Sequence, residues 1–389
     1  MPSSVQDAIL RQLRELIRIP SRAGVDDYAP VLDAVRAVLR AQSVSSERLV
    51  DGSRVVGICG RITGKGEGPT YMLNATVDTA PFGDTAAWTH GPLSADVAGG
   101  WLYGRGSADS KAGVAIFCHV LMALARERSR LRGSMAFLFD AEEHSGAFGG
   151  VRRFVSERLE SLPLGGVMIG YPGHDRIVIG CRGFHRARLT VRGVAAHSGS
   201  STRRGVNAVL RAGELARQLE RARLPTGRDP QFPLPPEITV TAMHGGEGFS
   251  TVPDRCELSV DVRLTPAFTQ VHAEAVLARV VERFDRKARA LPATIVETVP
   301  GWPAYRLAAD APVYLALRAA AQRVLRRRVA GAVAGPSSIG NYLATIGVGA
   351  TSGFGVRYRN LHAPDECVEV ASIEPTYQTY LLAARSLLS

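Results

Sequence analysis

The chain has 389 residues, 46% hydrophobic and 21% charged, the make-up of a folded protein of two or three domains rather than a disordered chain. It contains no run of eighteen apolar residues and five scattered cysteines without a C-x-x-C, which argues against a membrane-spanning segment, a membrane partner, a disulfide framework and a structural zinc site. The charge is +11, but Lys65, Lys111 and Lys287 are the only lysines among 47 basic residues; the arginines are dispersed, Arg326–Arg328 is their one tight run, and no nucleic-acid motif accompanies them, so no nucleic-acid partner is expected.

The N-terminal stretch reads as an amphipathic helix with Ile9, Leu13, Leu16 and Ile17 on one face. Acidic and polar residues stand where a secretion signal needs an apolar core, so the cytoplasm is the expected compartment. YMLNATVD, SMAFLFDAEE and GVMIGYP follow as strands, with the long helix SKAGVAIFCHVLMALARER between the first two. Buried strands joined by helices predict an α/β layer with a largely parallel sheet, and ligand sites in such sheets lie beyond the strands' carboxyl ends. Cys118, within the apolar helix, is expected in the core.

From about residue 182 the pattern changes. An alternating strand HRARLTVRG leads to a loop and a helix, a Pro-rich loop TGRDPQFPLPPE, two strands EITVTAMHG and RCELSVDVRLTP, and a helix beginning at Thr269. The order is that of a small two-layer α+β sandwich. The last ninety residues return to helix, strand and Gly-rich loop. The expected architecture is α/β: a discontinuous catalytic domain (1–181 and 298–389) with a mixed, largely parallel sheet, interrupted by an inserted α+β lid or dimerisation domain (182–297).

Four places carry chemistry: Asp78 in NATVDTAPFGD, Asp109 in YGRGSADSKAG, the pair Glu142–Glu143 in FLFDAEEHSG, and His362 in RNLHAPDE. Each falls at a strand end or a Gly-rich turn, so all four can converge on one cleft. Glycines let the backbone turn tightly beside Asp109, which opens a long helix. Two adjacent carboxylates at a buried strand end repel unless a cation or proton intervenes, and such a pair suits metal ligation beside general-base work.

Six ordered blocks, LNATVDT, GPLSADVAGGWLYGRGSADSKAG, FDAEEHSG, VRGVAAHSG with RGVNAV, TVPDRCELSVDVRL and LHAPDE, resemble the M20 family of metallopeptidases and amidohydrolases. The resemblance implies a co-catalytic metal site, with Asp109 as the bridging carboxylate, Glu143 and His362 as ligands of one metal, Glu142 as general base and Asp78 as the carboxylate that orients a ligand. It further implies His197 as an oxyanion-stabilising histidine reaching across a homodimer, and Arg263 as a holder of a substrate carboxylate. The family's first motif is normally H-x-D, and a Glu or Asp normally precedes the Pro after the third strand; here Thr76 and Tyr171 stand at those positions. Both private ligands of one metal are therefore replaced by neutral hydroxyls, which are poor ligands for a divalent transition metal. One divalent ion per chain is expected, zinc first with manganese or cobalt as alternatives. His174 or Asp175 is the candidate route to a second ion. Ser250 and Thr251 precede VPD where an Asn is usual, and Ser338 stands where the late loop carries an acid. With Thr76 and Tyr171, Ser338 joins the candidate substrate-binding set. The expected activity is hydrolysis of a C–N bond in a small, carboxylate-bearing substrate; hydrolytic deamination and a non-hydrolytic ligand-binding role are the alternatives.

Overall fold

The computed structural model describes residues 4–224 and 229–389. The chain forms two compact units: Met1–Gly180 with Arg306–Ala332 and Ser338–Ser389, and Cys181–Tyr305 with Val333–Ser337.

In the first unit, the opening helix Val5–Arg18 starts at Ser4, whose side chain and backbone exchange hydrogen bonds with Asp7 as a capping box. Its buried face holds Ile9, Leu13, Leu16 and Ile17, the stripe that the 3.6-residue period predicts. The six-stranded sheet runs in the order Glu47–Asp51, Arg54–Thr63, Arg132–Asp140, Gly66–Thr76, Leu164–Ile169, Ala350–Thr351. The first two pairings are antiparallel and the last three parallel, so the sheet is mixed and largely parallel. Arg132–Asp140 is buried from its second residue onward, without alternation, because helices cover both faces of such a strand. The stretch 107–126 is apolar and long enough to cross a membrane by length and composition, but it is mostly buried inside the protein; its helix Ala112–Arg126 is a core helix, Cys118 included.

Register places the chemistry. Thr76 pairs with Asp140 across the parallel strands, and Asn74 pairs with Ile169. The residues just past these ends, Asp78, Glu142–His144 and Tyr171, therefore share one edge of the sheet. A smaller four-stranded sheet pairs Trp101–Tyr103 with Cys367–Glu369, and Cys367–Glu369 with Tyr358–Arg359. It sets the His362 loop beside the turn that carries Asp109.

The second unit is a four-stranded antiparallel sheet, in the order Glu237–Gly245, Arg255–Leu264, Gly183–Arg192, Ile295–Trp302. Its apolar side packs on the helices Ala208–Glu220 and Gln270–Asp285, joining Leu189, Val191 and Leu258 to Leu215 and Phe284. Ile295–Trp302 pairs with Gly183–Arg192, which carries this unit past residue 298. Part of the Pro-rich loop, 225–228, lies outside the described residues.

Candidate metal centre

Asp109 follows a left-handed turn at Gly106 (φ 83°), where a Cβ would stand 2.6 Å from the Thr79 methyl; only glycine accepts both conditions. The turn is gripped from within. Glu366 Oε1 accepts hydrogen bonds from the backbone N–H groups of Gly106 (3.1 Å), Ala108 (3.0 Å) and Asp109 (3.3 Å). Its Oε2 meets Arg105 Nη1 at 2.5 Å, and Arg105 Nη2 donates to the His362 carbonyl at 3.2 Å. A buried arginine–carboxylate pair thus ties the Asp109 turn to the His362 loop.

Asp109 Oδ2 lies 3.0 Å from His362 Nε2 and 3.5 Å from His144 Nε2, while Oδ1 accepts from the Ser110 hydroxyl at 2.8 Å. One ligand atom from each of Asp109, His144 and His362 lies within 4.8 Å of the others. The His144 ring is buried, and its Nε2 has no well-formed hydrogen bond. A carboxylate oxygen and two imidazole nitrogens, one of them a buried orphan, fit a divalent transition metal. Against the cost of its own burial, the neighbouring imidazoles of His144 and His362 hold the Asp109 carboxyl well below the usual carboxylate range. Burial likewise opposes charge on His144, but Asp109 and Asp78 outweigh it and raise that imidazole well above its ordinary value.

Asp78 lies behind His144. Its Oδ2 accepts from the His144 backbone N–H at 3.1 Å and lies 3.3 Å from Nδ1 of the same ring; its Oδ1 accepts from the Glu143 N–H at 3.3 Å and from the Thr76 hydroxyl. Thr76 is thus committed to Asp78. Glu143 is partly buried, its Oε2 3.5 Å from His144 Nδ1. Burial, reinforced by the charges of Asp109 and Asp78, pushes its carboxyl up to about 7. Tyr171 belongs to the same cluster: burial and the Glu143 and Asp109 charges raise its phenol well above the ordinary value, and its hydroxyl makes no well-formed hydrogen bond. Glu142 leaves the cluster, taking a left-handed backbone (φ 70°) and pairing its Oε1 with Arg54 at 2.9 Å.

The remaining expected residues lie elsewhere. His174 Nδ1 is 3.0 Å from the Gly355 carbonyl, and Asp175 pairs with Arg327 at 2.8 Å; neither belongs to the donor trio. Ser338 caps the helix Ile339–Thr345, its hydroxyl accepting from Gly340 N–H at 3.2 Å and lying 2.7 Å from that of Ser352. His197 and Arg263 belong to the second unit. There His197 Nδ1 accepts from the Gly199 N–H at 3.1 Å, and Arg263 pairs with Asp261 at 2.8 Å. Sequence reading missed His144. The available signal was an imidazole beside the acidic pair, in a chain that lacks the imidazole usual two residues before Asp78.

Residues 72–386 match the model of peptidase family M20/M25/M40. The succinyl-diaminopimelate desuccinylase of Cereibacter sphaeroides is 28% identical over 94% of this chain and 95% of its own. The M20 family metallo-carboxypeptidase Sso-CP2 of Sulfolobus solfataricus has the same fold, with a TM-score of 0.80 at 16% identity over 97% of this chain and 99% of its own. The YXEP protein of Bacillus subtilis, described as a dinuclear metal-binding M20 peptidase, superposes with a TM-score of 0.71 at 16% identity over 99% and 98% of the two chains. With the match extending over most of the sequence and a donor set that could hold a metal at the sheet edge, the chain belongs to peptidase family M20/M25/M40 and is a hydrolytic enzyme.

Proposed function

We propose that the enzyme hydrolyses a C–N bond, an amide or peptide bond in a small carboxylate-bearing substrate, with one divalent ion per chain. The supporting observation is the convergence of Asp109, His144 and His362 at the carboxyl edge of the sheet. Asp109 and His362 would hold the ion with a third donor from the His144 segment, leaving the open position that catalysis requires. When bound, the ion supplies Lewis acidity toward water and a carbonyl oxygen. Zinc is the first candidate, then manganese and cobalt. Two features favour a single ion: both imidazoles face one oxygen of Asp109, and Thr76 and Tyr171 bring only neutral hydroxyls to the places of a second ion's ligands.

The chain's own groups do the rest. The acidic pair Glu142–Glu143 takes a proton from the attacking water and returns it to the leaving nitrogen; the sequence reading assigns this to Glu142. Tyr171 is the member of the expected substrate set whose buried hydroxyl is not committed to a well-formed hydrogen bond. His197 would stabilise the developing oxyanion, and Arg263 would meet the substrate carboxylate. A homodimer built through the second unit is part of this reading, supported by its exposed outer strand Ile295–Trp302, where Ile295, Val296 and Val299 face solvent.

The test is to strip the protein with a chelator, reload it with zinc, manganese or cobalt, and screen N-acyl amino acids and dipeptides. The expected result is hydrolysis restored at one ion per chain by elemental analysis. No hydrolysis with any of the three metals would defeat the reading.

A further inference from the structure

We infer that the working residues after the strand Arg132–Asp140 stand one place later than sequence reading puts them: His144 is the third metal ligand, and Glu143 the carboxyl that handles the proton. This deepens the single-ion hydrolase reading and rests on it. The argument begins with orientation. A histidine that binds metal through one ring nitrogen usually gives the other to a carboxylate, which sets its tautomer and aim. His144 is arranged in this way: Nδ1 is 3.3 Å from Asp78 Oδ2, and the buried Nε2 turns toward Asp109 Oδ2 without a well-formed hydrogen bond. Asp78 is itself locked, by the Thr76 hydroxyl and by the backbone N–H groups of Glu143 and His144. The imidazole thus comes from the loop after one strand while its supporting carboxylate comes from the end of the neighbouring strand.

The acidic pair divides accordingly. Glu143 stays in the buried cluster, beside the His144 ring. Glu142 turns out of it, through a left-handed backbone, to Arg54. With His144 as a ligand, Glu143 is released from coordination and is the carboxyl left beside the ion. Asp78 is a positioning residue, acting through His144.

Titration calorimetry with cobalt, together with the visible absorption of the cobalt-loaded protein, reads the ligand set without reference to turnover. His144→Ala should weaken cobalt binding by at least about 10-fold and change the spectrum, while His144→Glu, which returns a ligating oxygen, should recover binding with a spectrum of its own. Asp78→Asn should weaken binding about 10- to 100-fold, the range for a lost carboxylate behind a ligand. Glu143→Gln should keep one ion per chain and lose turnover by about 10²-fold or more, a larger loss than Glu142→Gln. Far-UV circular dichroism and a thermal melt confirm that each variant is folded. The inference is overturned if Glu143→Gln loses the ion while His144→Ala keeps wild-type affinity. It is equally overturned if Glu142→Gln abolishes turnover while Glu143→Gln retains it. A wild-type protein that binds one ion through His144 yet hydrolyses none of the screened substrates defeats the hydrolase reading alone.

Discussion

At the scale of single residues, the site depends on groups that hold other groups. Glu366 is fully buried and satisfies three backbone N–H groups of the Asp109 turn while pairing with Arg105. Removing its charge leaves Arg105 buried without its ionic partner, the condition under which a buried pair becomes expensive. Glu366→Gln is expected to cost about 3–5 kcal/mol by urea denaturation, and to weaken zinc binding in calorimetry because the turn and the His362 loop lose their common anchor. An unchanged denaturation midpoint would show that the anchor contributes little.

Between elements, close approach governs. The helix Ala112–Arg126 begins where the strand Leu164–Ile169 ends, and at Gly113 a Cβ would stand 2.1 Å from the Gly170 carbonyl oxygen. The contact is with backbone, so no side chain can move aside. Gly113→Ala should destabilise the first unit by about 1–3 kcal/mol, the usual cost of overpacking, seen as a lower denaturant midpoint. It should also reduce ion affinity, since this helix carries the Asp109 turn at its N-terminal end. The same helix holds His119. Burial, with Arg126 and Arg11 nearby, lowers that imidazole from 6.5 to about 4. Because the folded-state value is the lower one, the unfolded chain binds the extra proton first, and stability is lost as pH falls from about 6.5 to about 4 and stays level below that. His119→Gln should remove this component: the stability difference between the two proteins is expected to shift by about 3 kcal/mol at most across that window, measured by urea titration at several pH values. A constant difference would mean that His119 titrates normally.

At the scale of the whole molecule, the second unit presents outer strands to solvent, an arrangement that proteins cover, charge or pair. If these strands pair between copies, analytical ultracentrifugation should give twice the chain mass at micromolar concentration. Lysine substitution of Val296 and Val299 on the exposed strand should shift the equilibrium toward single chains. A monomer at every accessible concentration would remove the dimer, and with it a role for His197 across the interface.

Much of this protein is legible in one dimension. Composition, the 3.6-residue stripe of the first helix and the unbroken apolar strands carry the α/β class, because they report burial, and burial is imposed locally along the chain. Asp78, Asp109 and His362 are readable for a related reason: each sits at a strand end or Gly-rich turn, where this kind of sheet collects its ligands. His144 was not readable in that way. Its importance comes from register, with Thr76 paired to Asp140 so that Asp78 meets the loop beyond the neighbouring strand. The separation of Glu142 from Glu143 is also a tertiary matter, since two identical neighbours differ only in what surrounds them, Arg54 for one and the His144 ring for the other. The extension of the second unit past residue 298 was settled by a strand pairing with residues more than a hundred positions earlier. The sequence by itself determined which side chains the chain would bury and which chemical groups it could bring to a sheet edge. Only the tertiary structure decided which of those groups touch, because hydrogen-bond register and loop closure join residues that no local pattern connects.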